Sequence, residues 1–183
     1  MWYSLSDAHY DKQTPITSID IDSRVIAYGD GFFTTMAVVA GQINWLNYHL
    51  DRIEESAHAL QLNLTNADLD AANLDSFNLE SPNHTIRAYF NSQLANFAKT
   101  LNHGMLKLIV CRKNQPIKGY GFCNSEFDAF IKLMSTDKPL SPQANQVIIQ
   151  PAATAICLTQ QIACLPKPLA GLKLLNAQDK VMA

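Results

Sequence analysis

The chain lacks most of the features that place a protein in a special class. No apolar run approaches the roughly twenty residues that a membrane-spanning helix needs. Charged residues make up only 16% of the chain, and 14 basic against 16 acidic side chains leave a net charge of −2. That excludes the basic surface excess that recruits nucleic acid or an anionic membrane. The N-terminus, Met1-Trp2-Tyr3-Ser4, has neither the basic nor the apolar region of a secretory signal. The four cysteines, Cys111, Cys123, Cys157 and Cys164, form no C-x-x-C pair and have no histidine cluster beside them. A zinc site is therefore not expected, and the thiols read as reduced and cytoplasmic. There is no internal repeat and no low-complexity tract. What is present is 48% apolar residues in 183 positions, a soluble globular composition with room for one good core or two small domains.

Residues 1–45 read as strands and turns. Ile16 to Ile26 alternates apolar with polar residues, and Gly29 and Gly31 supply turn geometry around Asp30. Phe32 to Val39 is aromatic and β-branched enough for a strand, with Ala40-Gly41-Gln42 as a hairpin turn before Ile43 to Leu46. Leu50, Ile53, Ala57 and Leu60 recur at helical spacing, which predicts a helix over Asn47 to Leu60. Further helices are expected over Ala67 to Leu74 and Ser81 to Leu101, the latter stopped at Asn102-His103-Gly104. Strands follow at Met105 to Cys111 and Phe127 to Met134. Residues 135–146 are polar and carry Pro139 and Pro142, as a linker does. The expected organisation is an N-terminal α/β domain over 1–134, a linker over 135–146, and the start of a C-terminal domain over 147–183. Leu172 to Met182 reads as helical. A second domain of under about forty residues is too small for a stable core of its own. It either packs on the first domain or belongs to a longer polypeptide.

Four places can carry chemistry. Lys173 stands out among ten lysines because Leu169 to Leu175 around it is uncharged and mostly apolar. An amine held in such surroundings loses part of its preference for the ammonium form and can attack a carbonyl; a solvated charge is the ordinary alternative. Arg52 lies on the first predicted helix, where its fork suits a phosphate, the alternative being a surface pair with Glu55. Tyr28 to Thr35 lets the backbone approach something closely at Gly29 and Gly31, unless it is a plain turn. Thr34 and Thr35 alternate faces in a strand, so only one can point into a given pocket. Thr35 is the candidate substrate contact, although the sequence does not rank the two. Lys118-Gly119-Tyr120-Gly121 joins a cation and a phenol on a loop that could bind a carboxylate. His9, His58, His84 and His103 show no ligand spacing and read as structural.

The order of these segments carries more than any one of them. Ser23-Arg24, Tyr28-Gly-Asp-Gly31, His49-x-x-Arg52, Leu106–Arg112, Lys118-Gly-Tyr120 and Gly171-Leu-Lys-x-Leu-Asn176 together resemble the class IV (fold-type IV) pyridoxal-phosphate enzymes. These include branched-chain aminotransferases, D-amino-acid transaminases and aminodeoxychorismate lyases. Gly29 to Thr35 and Leu169 to Asn176 look most like the bacterial lyase. The resemblance implies an α+β, two-domain fold like that of D-amino-acid aminotransferase, with the second, pyridoxal-phosphate-binding domain incomplete here. It implies pyridoxal 5'-phosphate as cofactor, Lys173 as the Schiff-base lysine and Arg52 on the cofactor phosphate. Thr35, Lys118 and Tyr120 would contact a small-molecule substrate. It also implies a cytoplasmic homodimer, with no nucleic-acid or membrane partner. Leu174, Ala177 and Lys118 depart from the lyase pattern, which often has His, Arg and Arg there. The family's carboxylate for the pyridine nitrogen falls beyond Ala183.

The expected activity is conversion of 4-amino-4-deoxychorismate to 4-aminobenzoate and pyruvate, a step of folate biosynthesis. The alternatives are a class IV transaminase acting on D- or branched-chain amino acids, and a truncated domain without catalysis.

Overall fold

The computed structural model describes residues 1–5, 15–63, 82–116, 119–136, 154 and 165–176. In chain order the elements are β1 (Trp2–Ser4), α1 (Arg24–Tyr28), β2 (Gly31–Val39), β3 (Gln42–Ile43), α2 (Leu46–Ala59), α3 (Pro82–Thr100), β4 (His103–Arg112) and β5 (Phe127–Ser135). The strands form one antiparallel sheet in the order β1-β5-β4-β2-β3.

Side-chain alternation decides which face of this sheet is dry. On β2 the buried set is Phe32, Thr34, Met36 and Val38, and on β4 it includes Leu106, Leu108 and Val110. Register sets Phe32 opposite Val110 and Met36 opposite Leu106. Leu108 meets Ile131 and Val110 meets Ala129 on β5. The two long helices lie on this face. α2 contributes Leu50, Ile53 and Ala57, and α3 contributes Ile86, Tyr89, Phe90, Leu94 and Phe97. Phe90 stacks on Phe127 with ring centres 5.8 Å apart, and the Tyr89 hydroxyl donates to the Leu5 carbonyl at 3.2 Å. The opposite face is only partly covered, with Lys132 over the Trp2 ring and Lys107 over the Phe33 ring.

The expected α+β class and the main strands and helices agree with the structure. The β2–β3 connection is a two-residue hairpin: Val39 pairs with Gln42, and Ala40 and Gly41 both have positive φ (51° and 73°). That matches the mirror-image turn whose twist suits adjoining strands.

Three local readings are corrected. Residues 16–22 make no strand, and Arg24–Tyr28 is helical because the Ser23 carbonyl accepts the N–H groups of Ile26 and Ala27, both at 3.0 Å. The alternation there buries nothing at Ile19 and Ile21, which are 51% and 75% exposed. Gly104 does not stop the preceding helix. It lies inside β4, where a Cβ would stand 2.2 Å from the Met134 carbonyl. Residues 172–176 are not helical; Leu174 instead forms an antiparallel bridge with Phe32. The helix expected at 67–74, most of the linker and residues 147–153 lie outside the described residues. Among the described residues no helix is long and apolar enough to cross a membrane.

One buried ionic cluster ties the turn before β2 to the rest. Asp30 Oδ2 accepts from Arg24 Nε at 2.8 Å and from Arg112 Nε at 3.1 Å. Arg24 also donates to the Tyr120 and Gly121 carbonyls, at 3.2 and 2.9 Å. Arg112 donates to the carbonyls of Asn124 (3.1 Å) and Leu60, and stacks on Phe122 at 3.8 Å. The two arginine side chains are 6% and 3% exposed, so removing their shared carboxylate strands two buried cations. Asp30→Asn is expected to lower the unfolding free energy by about 3–5 kcal/mol, read from urea melts. A loss below about 1 kcal/mol would show that desolvation already offsets the cluster.

Candidate active site

The approach of Lys173 to β2 begins in a turn. Leu169 and Ala170 donate backbone N–H groups to the Pro166 carbonyl, and Leu172 donates to that of Leu169. The chain then runs extended beside the first residues of β2. Phe33 N–H donates to the Lys173 carbonyl, and Leu175 N–H to the Gly31 carbonyl, both at 3.0 Å. This edge of β2 is open to them because β3 pairs only with Val38 and Val39. The glycines of the Tyr28–Thr35 segment serve this packing. Gly29 (φ 61°) closes α1 in the left-handed region, and a Cβ there would meet Asn176 at 3.1 Å. A Cβ on Gly31 would lie 2.4 Å from the Val110 carbonyl. The close approach is therefore to the chain's own backbone.

The bridge sends Leu174 into the core beside Phe32, so Lys173 points the other way and is exposed. The expectation of an amine enclosed by its apolar neighbours is thus not met among the described residues. The alternation that buries Leu174 is the cause. Lys173 Nζ lies 5.8 Å from the centre of the Phe33 ring, and Lys107 Nζ lies 5.1 Å from the same ring.

Around the edge of the strand is a polar cluster on the helix side. Arg52 and His49, three apart on α2, share a helix face. Arg52 Nη1 donates to Thr34 Oγ1 at 3.2 Å, and the same oxygen is 2.8 Å from His49 Nδ1. Thr34 is fully buried. Arg52 does not pair with Glu55. Among the described residues neither Arg52 nor Lys173 pairs with any carboxylate. Lys173 is close enough for its charge to act on His49: burial, then Arg52, then Lys173 press the His49 pKa below its ordinary 6.5. Two unpaired cations and a neutral imidazole suit an anionic ligand.

The other expected contacts fall elsewhere. Thr35 has its side chain exposed on the sheet face opposite Thr34. Its backbone N–H and C=O point toward the gap on β2 between β3 and the Lys173 segment, where no partner meets them among the described residues. Tyr120 is 87% exposed, packs on Tyr28 with the rings tilted at 52°, and lines a cavity of about 290 Å³ with Arg24, Asp30, Arg112 and Asn176. Neither Lys173 nor Arg52 lines that cavity. Lys118 lies outside the described residues. The sequence leaves Thr34 and Thr35 unranked, and gives His49 no role beyond its place in the His49-x-x-Arg52 motif. The i, i+3 spacing of His49 and Arg52 was the available signal. Among the described residues no group of three His, Cys, Asp or Glu could hold a metal ion.

The depressed His49 pKa has a stability consequence. The folded state binds fewer protons than the unfolded chain as pH falls below about 6.5. His49's contribution is therefore whole above that pH and is lost as pH drops toward the folded value. Urea midpoints from about pH 8 to about pH 5 are expected to fall more steeply in the wild type than in His49→Asn. Parallel curves would show that His49 is not held neutral.

The amino-transferase class IV family profile matches residues 31–183. No curated protein sequence matches the chain. Among solved structures it is similar to a 4-amino-4-deoxychorismate lyase from Pseudomonas aeruginosa, at 26% identity and a TM-score of 0.62, covering 100% of this chain and 55% of that one. It is also similar to a candidate 4-amino-4-deoxychorismate lyase from Legionella pneumophila, at 20% identity and a TM-score of 0.58, covering 94% and 53%. The chain thus spans about half the length of these solved relatives. With a lysine-bearing segment laid against the Gly31–Phe33 edge and a family profile that covers most of its residues, the chain belongs to the class IV aminotransferases.

Proposed function

We propose that this chain carries the cofactor-binding lysine and the phosphate-contacting arginine of a pyridoxal-phosphate-dependent lyase that splits 4-amino-4-deoxychorismate into 4-aminobenzoate and pyruvate. The observation that carries the reading is that the bridge to β2 brings Lys173 within electrostatic reach of His49, which shares a face of α2 with Arg52. The residues present fit the cofactor: an exposed amine for its aldehyde, and a guanidinium whose other N–H donors are unused among the described residues for its phosphate. When bound, pyridoxal phosphate supplies an electron sink for the carbon that bears the substrate nitrogen.

Arg52 would hold the cofactor's phosphate and Lys173 its aldehyde carbon. The Lys173 amine is also the base that would take the proton from the nitrogen-bearing carbon of the substrate. The carbon–oxygen bond to the enolpyruvyl group then breaks, the carbocycle becomes aromatic, and the leaving enolpyruvate takes up a proton to become pyruvate. Atoms balance without added water or oxidant. The small-molecule substrate, the cytoplasmic location and the homodimer implied by the sequence resemblance are parts of the same proposal. Support for lyase rather than transaminase chemistry comes from the 26% identity to the Pseudomonas lyase along the whole chain and from the Gly29 to Thr35 segment.

Borohydride treatment of the chain with pyridoxal phosphate, followed by peptide mass mapping, is expected to fix the label on Lys173, and Lys173→Ala to abolish it. Label scattered over the other lysines would overturn the cofactor assignment. Release of 4-aminobenzoate without a keto-acid acceptor supports the lyase; acceptor-dependent turnover would make it a transaminase.

A further inference from the structure

Thr34 Oγ1 is the shared atom of the polar cluster, and its proton arrangement can be deduced. A guanidinium only donates, so Arg52 Nη1, at 3.2 Å, occupies a lone pair of that oxygen. The hydroxyl proton must then find its own acceptor, because Thr34 is fully buried and water does not reach it. His49 Nδ1, at 2.8 Å, is the acceptor in place. If Nδ1 instead carried the ring proton, Oγ1 would accept twice and its own proton would be stranded. The ring proton therefore belongs on Nε2. The neutral form this requires agrees with the burial of His49 and with the charges of Arg52 on its own helix and Lys173 on the bridging segment.

We propose that His49 and Thr34 form a positioning relay in which the imidazole Nδ1 fixes the Thr34 hydroxyl and the hydroxyl fixes the Arg52 guanidinium for an anionic phosphate ester. The relay rests on the reading of Arg52 as the phosphate contact. It explains why a threonine with no route to solvent occupies a strand position otherwise filled by Phe32, Met36 and Val38. A free arginine side chain samples many rotamers, and each bond that restrains it reduces what binding must order. Arg52 spends one donor on Thr34, and its remaining N–H groups have no protein acceptor among the described residues. Neither His49 nor Thr34 need touch the ligand.

The test separates phosphate recognition from general integrity. Dissociation constants for pyridoxamine phosphate and pyridoxamine, neither of which has an aldehyde to react with Lys173, give a ratio that reports the phosphate contact alone. Arg52→Gln is expected to collapse that ratio. Thr34→Val and His49→Leu are expected to reduce it roughly five- to tenfold, the worth of one ordinary hydrogen bond. Thr34→Ser restores the hydroxyl and His49→Asn restores an acceptor near Nδ1, so both are expected to keep the ratio. If Arg52→Gln collapses the ratio and Thr34→Val does not, the relay is wrong and the phosphate reading stands. Equal weakening of both ligands in Thr34→Val overturns the relay in favour of simple packing. An unchanged ratio in Arg52→Gln, or a wild type that binds neither ligand, overturns the phosphate reading itself. Nitrogen-15 shifts of the His49 ring, assigned by their loss in His49→Asn, then decide the relay without any ligand. A bare Nδ1 with a protonated Nε2 is expected, and a protonated Nδ1 sinks the idea.

Discussion

Asp30 is where the architecture is tied together. Its carboxylate holds Arg24 from α1 and Arg112 from the end of β4, and each arginine spends its remaining donors on backbone carbonyls of a different segment. Arg24 secures residues 119–121, while Arg112 secures Asn124 and the residue that ends α2. In a low-dielectric setting such a cluster is rigid only while every member is paired. Its placement immediately before Gly31 matters most. The direction in which β2 leaves the turn sets the edge that the Lys173 segment joins. The same direction decides that Thr34 faces α2 and Thr35 does not.

Much of this was legible in the sequence, for reasons specific to each element. The period-two pattern of β2 and β4 and the period-3.6 pattern of α2 are strong because one face of each is dry. The hairpin at Ala40-Gly41 was legible from its glycine. Reading failed where long-range bonds overrule local preference. Leu172-Lys173-Leu174-Leu175 has good helix formers, yet two backbone bonds to Gly31 and Phe33 hold it extended. The alternation from Ile16 to Ile26 resembles a strand, but its pairing with β1 goes no further than Pro15 and Ile16, and residues 24–28 turn helical. Gly104 looked like a helix stop because its role depends on the carbonyl of Met134, thirty residues away.

The site was legible unevenly for the same reason. Lys173 and Arg52 could be named from their segments. Thr34 over Thr35 could not, since the choice depends on which face of β2 meets α2. His49 could have been named from its spacing to Arg52, but its value comes from Thr34, which a one-dimensional reading does not bring near it. Arg24 and Arg112 are the converse case. Both are conspicuous cations beside a cavity, yet their donors go to Asp30 and to backbone carbonyls, so they hold the scaffold together.

The exposure of Lys173 follows from how it is anchored. A strand segment with one buried residue, Leu174, must turn its neighbours away from the core, so the backbone is held while the lysine side chain stays free to reach a ligand. Burial of the lysine would have required the opposite register, with Leu174 in solvent and the bridge to Phe32 lost. The segment's apolar composition therefore serves the anchor rather than the amine. What sets Lys173 apart from the other described lysines is its address: beside the Phe33 ring, within electrostatic reach of His49, at a strand edge whose Thr35 peptide groups are unpaired among the described residues. Chemistry at such a position depends on the register of three residues against Gly31 to Phe33. A one-residue slip would exchange Lys173 with Leu174 and remove the amine from the site without altering its composition.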